Sequence, residues 1–153
     1  MARADPVAED RRSLYERDFH LWLEQQAALV REGRPDQLDV ANLLEEIEAM
    51  GRKERRAIRS NLVVLLTHLL KHQFQPDRRS SGWSGSIVED RQRLRDDFEE
   101  SSSLRAHAAD VFARAYADAR ERASAETALP LRTFPRASPY TPEQVLDPRF
   151  LPD

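Results

Sequence analysis

His68 and His72 stand four residues apart, a spacing that sets two imidazoles on one helical face with Cβ atoms about 6 Å apart. Such a pair can clamp a transition metal if a third ligand arrives from another helix. Between them the chain has no Glu of the kind a zinc-protease motif needs, and Lys71 brings a cation that opposes metal binding. His68 and His72 are the candidate metal ligands, but both are expected to be structural, His68 hydrogen-bonded at the core edge and His72 on the surface. No cofactor is expected.

Glu45, Glu46 and Glu48 invite comparison with di-iron carboxylate bundles, which combine Glu with a Glu-x-x-His pair. Gly51, not His, follows Glu48 at that spacing, and on one straight helix His68 would lie about 30 Å further along. Glu48 and Arg52 instead make a favourable i,i+4 pair.

Glu54, Asn61 and His68 are heptad-spaced and form a polar seam that can fix helix register or line a groove. Arg78, Arg79, Ser80, Ser81, Gly82, Trp83 and Gly85 mix cations, small residues and an indole, a combination suited to holding a phosphate or stacking a base. The stretch lacks the Gly-x-x-x-x-Gly-Lys pattern, and Trp83 is in phase with Ile87, which marks it as a core anchor. Arg52, Lys53, Arg55, Arg56 and Arg59 gather on one segment, while Asp96, Asp97, Glu99 and Glu100 gather on another. Charge runs of this kind are usually solvated helix faces, and Arg52, Arg55, Arg56 and Arg59 form the candidate interaction surface.

The elements that must carry these residues are helices. The chain has 153 residues, 40% hydrophobic and 33% charged, enough for one hydrophobic core. It is rich in Ala, Leu, Glu and Arg and lacks the β-branched runs a sheet uses. With no cysteine, disulfides and thiolate chemistry are excluded. Met1 to Arg12 is charged without an apolar core, so it is expected to be a flexible N-terminus (1–12) and no signal peptide. The longest apolar run, Leu62 to Leu66, is too short to span a membrane, and a cytoplasmic setting is expected. The net charge of −3 favours no polyanion partner.

Ser13 with Glu16 suggests a capping box and Asp18 a second N-cap for a first helix ending at Gly33. Asp39 caps the next, predicted over Val40 to Phe74. Measured from Leu65 at about 100° per residue, Leu44, Ile47, Ile58, Leu62 and Leu69 fall within roughly 60°. That phase persists through Gly51, so one long helix of about 50 Å is predicted. It is longer than its neighbours could cover, so one end should project or Gly51 should kink, and near-continuity with a bend is expected. From Leu62 to Leu70 it is apolar on almost every side, the mark of a helix enclosed by others.

A third helix is expected over Trp83 to Glu99 with Ile87, Leu94 and Phe98 inward. A fourth is expected over Leu104 to Ala128, with Asp110, Arg114, Asp118, Arg122 and Glu126 on a solvated outer face. Six of the nine prolines fall between Pro130 and Pro152, which rules out a long helix there. That tail is still too apolar for a free linker. Thr141-Pro142-Glu143 should start a helical turn. The expected fold class is all-α: a compact bundle of four to five helices around a central long helix, residues 13–153 forming a single domain with tail 129–153 packed back on the bundle.

Tyr15-Glu16-Arg17-Asp18-Phe19, Leu43-Leu44-Glu45-Glu46-Ile47-Glu48-Ala49-Met50-Gly51, His68-Leu69-Leu70-Lys71, Pro139-Tyr140-Thr141 and Leu146-Asp147-Pro148 occur in this order. In that order they resemble the bacterial family known as domain of unknown function 29, over about residues 14–152. The resemblance implies a compact α-helical domain and a bacterial source; it brings no activity, cofactor or catalytic residue. Where similar sequences tend to have tryptophan after His-Leu-Leu-Lys, this chain has His72. With no assembled acid–base or nucleophile constellation, the expected function is a non-catalytic protein-interaction module, binding a protein partner or a second copy. Its alternatives are nucleic-acid binding through the Arg52 to Arg59 run and the Arg78/Arg79 loop, and a small helical metalloenzyme using His68.

Overall fold

The structure is a computed structural model that describes residues 14–153. The flexible N-terminus expected at 1–12, and the capping box at Ser13, lie outside the described residues. The protein is all-α: α1 (Phe19–Arg31), α2 (Val40–Phe74), α3 (Ser81–Glu100), α4 (Ser103–Thr127) and the short α5 (Pro142–Leu146), with no strand among the described residues. A helical turn at residues 14–17 precedes α1, and three-residue 3-10 turns follow α1, α2 and α4. No helix among the described residues is long and apolar enough to cross a membrane. The chain forms two compact units, Met1–Arg52 and Lys53–Asp153, whose boundary falls within α2.

In the first unit, α1 starts where Asp18 accepts the amide of Leu21 and stops at Gly33, whose φ of +67° favours glycine. Trp22, Gln26 and Leu29 turn inward, and Trp22 stacks with Phe19 and meets Tyr15 edge to face. Asp39 holds both helices. Its carboxylate accepts the Trp22 indole N–H at 3.1 Å and the Asn42 side-chain amide at 2.8 Å, while its own backbone N–H donates to Gln26 Oε1.

The second unit is built on the C-terminal part of α2, which packs against α3 and α4. From residue 61 to residue 75 no side chain is exposed, as the all-round apolar run requires. Ile58, Leu62, Leu65, Leu66, Leu69 and Leu70 meet Ile87, Leu94 and Phe98 of α3 and Phe112, Ala115, Tyr116 and Ala119 of α4. The small residues of α4 let the helices approach closely, and Tyr116 donates its hydroxyl proton to the Pro135 carbonyl at 2.6 Å.

The tail packs back on this core through Phe134, Tyr140 and Val145. Thr141 and Gln144 form a reciprocal capping box with Pro142 at the first helical position, the N-terminus its sequence announced. Tyr140 donates to Gln73, and burial pushes its phenol well above the ordinary tyrosine range.

Helix α2 runs unbroken through Gly51, and Leu44 and Ile47 of its apolar stripe are 54% and 59% exposed. One expectation fails on a particular. The α4 face expected to be solvated is partly used: Asp118 pairs with Arg59 of α2, and Glu126 with Lys71.

Candidate functional site

The polar seam predicted on α2 is real, and it is completed by residues on α3. His68 Nδ1 lies 2.6 Å from Asp90 Oδ2, and Asn61 donates to Asp97 at 3.4 Å. His68 and Asn61 are seven residues apart on one helix, and Asp90 and Asp97 are seven apart on the other in the opposite order. Two antiparallel helices are therefore locked in one register by two polar contacts, since a slip of one turn would break both. Glu54, the third heptad position, is exposed.

Asp90 is buried and His68 half-buried. A buried carboxylate on Nδ1 fixes the ring orientation and leaves Nε2 as the nitrogen available to a proton or a ligand. Catalytic and metal sites use such a carboxylate–imidazole pair together with a third group. No group of three His, Cys, Asp or Glu side chains that could hold a metal occurs among the described residues.

Around the dyad, Lys71 lies 5.2 Å from the centre of the Trp83 ring and 3.1 Å from Glu126 Oε2. Burial acts against ionisation of Glu126, but hydrogen bonds from Arg122 and Lys71 prevail and hold its carboxyl below the usual range. Trp83 is half-buried under this cation and is less of a core anchor than its phase suggests.

His68 and His72 are four residues apart but do not converge. His72 is buried, against the surface position expected for it; its Nδ1 meets the Pro152 carbonyl at 3.2 Å, which requires the Nδ1–H tautomer. Arg79 donates Nε–H to the His72 backbone carbonyl at 2.8 Å, so one turn of α2 holds both the tail and the linker before α3. Ser80 caps α3 by accepting the Trp83 amide. The phosphate-loop candidates Arg79 and Ser80 are thus engaged in holding their own chain.

Burial, then the nearby Arg79 charge, lowers the His72 pKa from 6.5. The unfolded chain therefore takes up this proton before the folded chain does. The stability contributed by neutral His72 is complete above about pH 7 and declines as pH falls through 6.5 towards the folded value. His72→Asn retains an N–H donor without a titrating ring. Urea midpoints measured between pH 7.5 and about 5 should fall less steeply for this variant; parallel profiles would contradict the assignment.

The predicted arginine surface is divided. Arg59 is half-buried against Asp118, and Arg52 pairs with Glu45 and Glu48 on its own helix. Arg55 and Arg56 are exposed, as is Lys53.

Sequence inspection overlooked Asp90, Arg91 and Tyr116. For the first two a signal existed: a carboxylate and a guanidinium sit between Ile87 and Leu94 on the face α3 turns inward. No curated protein and no solved structure matches the chain. The family described as Domain of unknown function DUF29 matches residues 14–151, nearly all of it. The helical order, the His68–Asp90 seam and the capped tail are therefore features of a chain that belongs to the DUF29 family.

Proposed function

We propose that this chain is a non-catalytic helical module that binds a partner protein through the apolar surface of its first unit. One observation carries the proposal: among the described residues, eight of the eleven large apolar side chains left exposed lie between Phe19 and Met50. Val40, Leu44 and Ile47 follow one another at i, i+4 and i+7 on one face of α2, with Val40 64% exposed. Phe19, Leu23 and Val30 make a second exposed stripe on α1. Patches of this kind mark sites that another molecule covers.

The partner's chemistry follows from charge. Residues 14–52 carry nine carboxylates against four guanidinium groups, a net charge of −5. The complement is a basic amphipathic helix laid along the apolar stripe. The first unit also buries few apolar side chains of its own, Trp22 and Leu29, so a covering partner would add to a thin core.

Leu44→Asp with Ile47→Asp tests the proposal, because both side chains are exposed and the fold should survive. Wild-type protein used as bait in lysate of its own host should retain a protein that this double variant loses, with unchanged helical circular dichroism. A bait that returns only itself, or equal retention by the variant, defeats the proposal. Arg55→Glu with Arg56→Glu is the companion: loss confined to this pair, falling steeply with salt, would point to a polyanion instead.

A further inference from the structure

The second unit contains a cavity of about 250 Å³ between α3, the start of α4 and the tail. Three of its eight lining residues are arginines, Arg91, Arg95 and Arg105, and none is a carboxylate. The rest of its wall is largely apolar, from Val88, Phe98, Leu146 and Pro148. An adjoining cavity shares Arg105, Leu146 and Pro148, and it is there that Glu143 and Asp147 lie.

We infer that this cavity binds a small amphiphilic anion, a carboxylate on a short alkyl chain, with its head group at the arginines and its chain against Phe98 and Leu146.

Arg91 is the least expected of the three. It is 6% exposed, its Nε–H donates to the Val145 carbonyl at 2.8 Å, and its Nη2 is buried with no hydrogen-bond acceptor. Burial lowers its pKa, opposed by the charge of Asp147. A buried cation left with an unmade hydrogen bond is costly unless something repays it. The arginine side chain cannot readily shed its proton, so the compensation must be negative charge nearby.

The other two cations surround it. The Arg105 guanidinium lies 5.0 Å from the centre of the Phe98 ring, a cation–π contact that holds it on the aromatic wall and leaves its N–H edge free to donate. Arg95 and Arg105 are exposed, and neither makes an ion pair with a carboxylate among the described residues. On the same helices Arg93 pairs with Glu89 and Arg122 with Glu126. Three guanidinium groups without a carboxylate in hydrogen-bonded contact, around one apolar cavity, select an anion with an apolar body. The volume lies just below the roughly 300–1,000 Å³ of drug-sized sites, which favours a short-chain acid over a larger ligand.

The test is calorimetric titration of the full chain with octanoate, 1-octanol, octylamine and inorganic phosphate, each repeated as a thermal shift. Octanoate should bind at one site and raise Tm, with an affinity about tenfold or more above that of octanol. Octylamine and phosphate should be weaker still, one lacking the charge and the other the chain. Arg95→Ala with Arg105→Ala removes two exposed side chains, leaves the fold intact, and should weaken octanoate by about tenfold or more. Arg91→Leu should abolish the preference for octanoate over octanol. Equal affinity for octanoate and octanol, phosphate binding as tightly as octanoate, or wild-type affinity in the double variant would each overturn the assignment.

Discussion

Leu66→Ala lowers the unfolding free energy of the second unit by about 2–5 kcal/mol, the range for truncating a fully enclosed leucine. Leu66 is wholly buried on the stretch of α2 where every side chain from 61 to 74 is buried or half-buried. The loss combines the transfer free energy of the deleted carbons with the cavity they leave, since tightly packed neighbours such as Leu70 and Ala115 can close over it only in part. The control is Leu44→Ala, the same substitution on the same helix at a side chain that is 54% exposed. It should change stability by less than about 1 kcal/mol. Urea unfolding of both variants reads the difference directly, as a shift of midpoint at constant slope. Amide hydrogens from Leu62 to Leu70 should exchange among the slowest in the protein and become faster in Leu66→Ala. Equal losses for the two leucines, or exchange in that stretch as fast as in a free peptide, would remove the central helix from the centre.

Leu44 and Leu66 also show what periodicity does and does not disclose. Spacing predicted α2 over Val40 to Phe74, the helix observed, because a stripe in constant phase and the Asp39 cap are local properties of the chain. The same spacing puts Leu44 and Ile47 in that stripe, yet they are 54% and 59% exposed. A helical phase identifies a face; what covers the face is a tertiary fact. The dense run from Leu62 to Leu70 was safer to read, since a helix apolar on all sides has no other stable environment in water.

The site divides in the same way. The Asn61–His68 spacing was legible as a polar seam, but its partners Asp90 and Asp97 were not, because pairing one helix with another needs the crossing register. The His72 burial was missed for a related reason: it depends on the Pro152 carbonyl, eighty residues away. The Arg52 to Arg59 run was legible as charge, while its division into engaged and exposed members depends on Asp118 of α4 and on the rotamer of Arg52.

Asp39→Ala should have the second large effect, and in the first unit. The substitution removes an acceptor shared by the Trp22 indole and by the backbone and side-chain N–H groups of Asn42. The Trp22 indole N–H, buried in a wholly enclosed side chain, would lose its partner, and α2 would lose its N-terminal cap. A stranded buried donor costs about 1–3 kcal/mol and a lost cap about 0.5–2 kcal/mol. Because the two losses share one side chain they are not additive, and about 2–3 kcal/mol is expected in total. Asp39→Asn keeps a side-chain oxygen able to serve as the cap or as the indole acceptor, and should cost less than half as much. Trp83→Phe leaves Trp22 as the sole indole, so fluorescence then reports this unit alone. In that background Asp39→Ala should shift the emission to the red and bring its transition to lower urea, with Asp39→Asn lying between it and the parent. An Asp39→Ala midpoint equal to the parent's would mean that Trp22 is held by packing alone. Equal damage from Ala and Asn would mean that the negative charge at position 39, rather than the oxygen acceptor, joins α1 to the start of α2.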